Sequence, residues 1–136
     1  MSSTYNDVRA AIEGRIAAEM ASAPSYPVAY PNVPFTPPNN LPWLQVSLTF
    51  GDNSYATLIG FNKQNGLLTV NTFTPVGNGA AANYTIAERI KDLFDRQTVS
   101  SIIFDAASGP NIITPSEPEA AYLQTQLNIT FEAYLD

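Results

Sequence analysis

Few residues of this chain stand in patterns that do chemistry. Gly77, Gly79 and Ala82 match G-x-G-x-x-A between an expected strand and an expected helix, and Asp105 lies downstream near the distance at which a dinucleotide-binding fold places its ribose-binding acid. On that reading the turn is a nucleotide site. The preceding residues argue against it: Thr69, Asn71 and Thr72 interrupt the apolar run of a parallel strand, and Pro75 breaks the step into the helix. The plainer reading gives the two glycines a tight turn and an Asn or Gly the cap of the helix. Glu117 with Glu119, or Asp52 with Asp105, are the candidate acid and base pairs. Glu117-Pro118-Glu119 falls in a loop before the last strand, where two solvated acids are ordinary, and no Ser, Thr or Lys stands in a nucleophile pattern. No calcium loop of D-x-D-x-D-G type occurs. With no histidine and no cysteine, the commonest general base and metal ligand, the thiolate sites and the disulfides are all missing. The expectation is a non-enzymatic protein with no catalytic, cofactor or metal site.

The elements that would position such residues suit assembly better than catalysis. One domain over residues 1–136 is expected from the length. Only 13% of the residues are charged, against about a quarter in ordinary domains. Thr, Asn, Ser and Gln number 39 and must cover much of the surface, which favours permanent protein contacts. The net charge of −6 is opposite to the basic footprint that phosphate binding needs, so nucleic acid is not an expected ligand. The first residues, Met1 to Asp7, lack the positive leader and apolar stretch of a signal peptide. No apolar run reaches the roughly 18 residues of a membrane span, and no membrane partner is expected.

Tyr5, Val8, Ile12, Ile16 and Met20 recur at helical spacing behind a Thr4/Asp7 cap, which predicts a helix over 4–22. Seven of the eleven prolines fall between Ala23 and Pro42, so residues 23–42 form an extended arm carrying Tyr26, Tyr30 and Phe35. Alternation predicts strands near 43–50, 54–61 and 67–73, turned at Gly51-Asp52-Asn53 and at the hairpin signal Asn65-Gly66. A second helix over 81–96 carries the stripe Ile86, Ile90, Leu93 and Phe94. Strands near 101–105 and 111–114 read as a hairpin around Ser108-Gly109-Pro110. The final strand, 122–135, alternates from end to end, which pins its register. Five of the six basic residues lie on the helices, with Arg9/Glu13, Arg15/Glu19, Lys91/Asp95 and Asp92/Arg96 spaced for i,i+4 pairs. The predicted fold is α+β: one mainly antiparallel, or mixed, β-sheet with two α-helices packed on one face.

Taken together, the capped helix, the arm from Pro27-Val28-Ala29-Tyr30 through Val33-Pro34-Phe35 into Trp43-Leu44-Gln45-Val46, and Gly66-Leu67-Leu68-Thr69-Val70 with Thr74-Pro75-Val76-Gly77 before a helix resemble the lambda-like tail terminator proteins of long-tailed bacteriophages. The likeness in layout covers nearly the whole chain. It implies a structural virion protein at the tail–head junction, made in the host cytoplasm. Such a protein forms a hexameric ring that caps the tail tube, stops its growth and offers a docking surface to the head connector. The implied partners are further copies of itself, the major tail-tube protein and the head–tail connector, with DNA only as passing cargo. Two other readings stay open: another ring-forming connector or tube component, and a small-ligand module using the glycine-rich turn. The expected contact residues are Tyr30, Phe35 and Trp43 of the arm and its landing strand. Asp52 and Asn53 in one turn and Lys63 and Asn65 in the other are expected to project from opposite rims of the sheet. Lys63 is expected to be the only basic residue outside the helices.

Overall fold

The computed structural model describes residues 4–38, 40–55, 62–77, 79–113 and 122–135. Helix α1 (Tyr5–Met20) starts where the sequence signals it. The Thr4 hydroxyl accepts the Asp7 N–H at 3.2 Å and the Asp7 carboxylate accepts the Thr4 N–H at 2.9 Å, so two otherwise orphaned donors are satisfied reciprocally. Val8, Ile12, Ile16 and Met20 are buried, whereas Tyr5 stays 51% exposed and meets Phe50 edge-on. Helix α2 (Ala81–Phe94) buries Ile86, Ala87, Ile90 and Phe94. Its N-cap is Ala80 without a side-chain hydrogen bond, so the expected Asn or Gly cap is not what starts it. It stops two residues before the expected end because the Asp95 carboxylate accepts the Ala107 N–H and Arg96 turns into the left-handed region at φ 55°.

The basic residues hold the helices differently from the expected i,i+4 ladder. Arg9 pairs with Glu13 at 3.1 Å as its spacing predicts. Arg15 instead donates to the Leu93 carbonyl at the end of α2, and Glu19 pairs with Arg89 of α2 at 3.1 Å. Arg89 also donates to the carbonyls of Glu19 and Pro24. No basic residue stands in the last turn of α1, so a cation from α2 meets its unsatisfied carbonyls and negative dipole end. Asp95 contacts Arg96 at 3.8 Å, and Arg96 lies beyond α2, so Lys63 is not the only basic residue outside the helices.

Among the described residues seven strands form one sheet: β1 (Val28–Ala29), β2 (Trp43–Tyr55), β3 (Asn62–Pro75), β4 (Thr98–Val99), β5 (Ile102–Phe104), β6 (Ser108–Ile113) and β7 (Tyr122–Leu135). The order is β1-β2-β3-β7-β5-β4, with β6 beside β7. Among the described residues only the short β1–β2 pairing is parallel, so the sheet is mixed but mostly antiparallel. Both helices contribute to one core on a single face, where Leu44, Val46, Leu68, Val70, Leu127, Ile129 and Phe131 are all buried.

None of the three expected hairpin turns is formed as such. β2 and β3 pair along their lengths as the two arms of one antiparallel ladder: β2 continues through Gly51-Asp52-Asn53, which it absorbs as a bulge between Phe50 and Asn53, and β3 runs straight through Asn65-Gly66. Gly66 serves a close approach and not a turn, because a Cβ there would lie 2.3 Å from the Phe131 ring. The connection at 56–61, and with it most of the expected strand 54–61, lies outside the described residues. Similarly, Ser108-Gly109-Pro110 is not a turn between two paired strands. β5 and β6 follow one another along the same edge of β7, with Phe104 opposite Phe131, Ser108 opposite Asn128 and Ile113 opposite Gln124. Thr114, the expected last residue of that hairpin, is outside the described residues.

Candidate functional site

The residues that might have done chemistry are scattered. Gly77 and Gly79 both take positive φ, 95° and 77°, so they make the tight turn of the plainer reading. The strand before them, β3, has antiparallel neighbours on both sides. Asp105 is held by Thr130, whose hydroxyl donates to its carboxylate at 2.7 Å. Asp52 sits on the bulge of β2 and Asp105 follows β5; with β3 and β7 between these strands, the two are separated by roughly 14 Å of sheet. Glu117 and Glu119 lie outside the described residues. Among the described residues no group of three or more acids could hold a metal ion.

The arm is built into the fold at both ends. It leaves α1 through a hydrogen bond from Ser25 to the Met20 carbonyl, then pairs β1 with the outer edge of β2 at Leu44 and Gln45. Tyr26, Val28 and Tyr30 pack against the helix-side core. Burial, and secondarily the nearby Glu13 carboxylate, raises the Tyr30 hydroxyl above its ordinary value of 10.0. The chain then passes round the β2 edge to the opposite face. There Phe35 lies 5.2 Å from Trp43, which stacks on Phe73 at 4.2 Å and meets Tyr122 edge-on. The Tyr122 hydroxyl donates to the Pro38 carbonyl at 2.6 Å. Tyr30 and Phe35 therefore grip opposite faces of one sheet margin, with Trp43 as the anvil for the second. The Trp43 indole N–H is buried with no acceptor among the described residues.

The four expected turn residues lie close together instead of at opposite rims. Asn53 is opposite Gln64 and Ser54 is opposite Lys63, so Asp52, Asn53, Lys63 and Asn65 share one end of the β2–β3 hairpin. Gln64, which sequence reasoning passed over, organises that end. It is 2% exposed, accepts from the Tyr5 hydroxyl at 2.9 Å and the Asn53 amide at 3.1 Å, and donates to the carbonyls of Gly51 and Asn65. A buried amide so fully paired fixes the bulge and joins the hairpin to the start of α1. Lys63 pairs with Glu132 of β7 at 3.1 Å, which ties up much of its charge. The signal for Gln64 was its parity: it shares a face with Leu68 and Val70, where an uncharged polar residue must find partners inside. Asn83 is the parallel case on α2, fully buried and bonded to Thr74 and to the carbonyls of Thr72 and Leu123.

Past Gln45, no described strand pairs with the outer edge of β2, and none pairs with the outer edge of β6. Beside the open part of β2 lies a groove of 630 Å³ walled by Tyr5, Pro31, Leu48 and Phe50, with Arg9 and Glu13 at its rim.

These features define a small α+β protein with an aromatic arm bound to its sheet and two sheet margins that no described strand pairs. A family model described as phage tail terminator protein matches residues 7–101, from α1 through β4. The chain belongs to the phage tail terminator family, a family of structural tail proteins of bacteriophages. No curated protein matches it. A solved structure superposes with a TM-score of 0.73 at 21% identity, covering 96% of this chain and 95% of the other, which establishes the shared fold. No described helix is long and apolar enough to cross a membrane.

Proposed function

We propose that this protein assembles as a homohexameric ring on the last ring of the tail tube, ends tube elongation there, and presents the surface to which the head–tail connector docks. The family match over 7–101 carries this reading. The scarcity of charge and the unpaired sheet margins support it, since a protein that works by holding copies of itself needs contact surfaces that dehydrate cheaply. The work is structural, with no chemical step, at the tail–head junction of the virion. The partners are other copies, the major tail-tube protein and the connector. Six copies would carry a formal charge of −36, six times the −6 of one chain, which disfavours adhesion of DNA crossing the lumen.

Electron microscopy of phage lacking this protein tests the reading. Tubes should grow past their set length and fail to join heads, and a label on the restored protein should mark the head-proximal end of the tail. Tails of normal length that join heads without it would overturn the proposal. A label spread along the tube would identify a tube component instead.

A further inference from the structure

We propose that neighbouring copies join edge to edge, the β6 margin of one copy entering the open β2 margin of the next, with Ile112 seated in the groove beside Leu48 and Phe50. The inference rests on the ring proposed above and names its contact. Leu48 and Phe50 are aligned with the core face of β2, yet both are only half-buried, while Val46 and Leu68 beside them are closed off. The core is therefore incomplete at this margin. Across the sheet, Ile112 projects from the core side of β6, opposite the buried Thr125, and is 49% exposed. An apolar side chain without cover on one margin matches apolar walls without cover on the other.

The backbone agrees. Edge strands of monomeric proteins are guarded by charged side chains, above all lysine. Ser47 to Gly51 on β2 and Ser108 to Ile113 on β6 contain no charged residue. Pro110 and the bulge before Asn111 blunt the start of β6, which leaves Asn111 to Ile113 as the segment able to pair. The two margins differ and lie at opposite sides of the sheet, so the contact is heterologous. Repeated by rotation it closes a ring, which a contact between two like margins cannot do beyond a dimer. A second copy of this chain is the occupant favoured by that complementarity.

The natural chain has no cysteine, so cysteines can be introduced singly. Thr49→Cys labels the β2 margin and Asn111→Cys the β6 margin, both at exposed positions. With a short bis-maleimide, a mixture of the two variants should cross-link into dimers while neither does so alone. The double variant should give a ladder ending at the ring size, in concentrated protein or in assembled tails. Ile112→Asp should weaken assembly roughly 10- to 100-fold with an unchanged thermal midpoint. Self-cross-linking of either single variant, full assembly of Ile112→Asp, or capture of a tail-tube subunit by Thr49→Cys in place of a second copy would overturn the contact. A ring visible by microscopy without the mixed cross-link sinks the contact and spares the ring. No assembly in either setting sinks both.

Discussion

On its helix-covered face the sheet buries Leu68, Val70, Leu127 and Ile129; on its other face the alternate residues Thr69, Asn71, Gln126 and Asn128 bond to one another. Asn71 is only 8% exposed although no described helix covers it, because Gln124 and Gln126 both reach across to its side-chain oxygen. The same strands thus solve two problems by parity alone. The apolar set is removed from water by α1 and α2, which supplies the stability. The amide set satisfies itself sideways, so that face needs neither a helix nor charge to stay in solution, and its dehydration against another protein costs less than that of a charged face. Apolar burial and amide pairing are separated onto two sides of one layer.

Substitutions should break this division unequally. Phe131→Ala removes a ring packed against Phe50 and Phe104 and should cost about 3–5 kcal/mol, read as a fall in the denaturant midpoint at unchanged slope. Gly66→Ala drives a methyl into that same ring and should cost about 1–3 kcal/mol. If it proves neutral, the glycine is not there for Phe131. Tyr30 tests the arm where it meets the core. Its raised hydroxyl value means that the unfolded chain gives up the proton first, so stability is full below pH 10 and falls as the pH rises beyond it. Tyr30→Phe should flatten that alkaline fall in a pH series of thermal midpoints. Gln126→Thr, on the open face, should change stability by no more than about 0.5 kcal/mol. A loss comparable to that of Phe131→Ala would show that the amide layer carries the fold as much as the apolar core does.

Long, regular signals were legible in the sequence, and short, ambiguous ones were not. The α1 cap, the stripe of α2 and the alternation of β7 each depend on near neighbours in the chain, and each stands where local physics places it. The dipeptide Asn65-Gly66 is a sound turn signal, but it was overruled by a ring from β7, 65 residues away in sequence, that needed a position without a side chain. Gly51-Asp52-Asn53 likewise yields to Gln64, whose amide converts an expected turn into a bulge within a continuing strand. Asp52, Asn53, Lys63 and Asn65 change place for the same reason: with β2 and β3 running through both expected turns, residues expected at opposite rims lie side by side.

Composition and periodicity alone specify the α+β class, the apolar faces of the helices and of the last strand, the proline-rich arm and the want of a histidine or cysteine chemistry. These follow from composition and from periods of 3.6 and 2, which any chain with this sequence carries whether folded or not. Long-range packing sets which strands are neighbours, that β5 and β6 share one edge of β7, that Arg15 and Arg89 each reach across to the other helix, and that the arm crosses from one face of the sheet to the other. Each of these depends on contacts between residues far apart in the chain, whose partners are chosen by the packing of the whole and leave no periodic trace at either end.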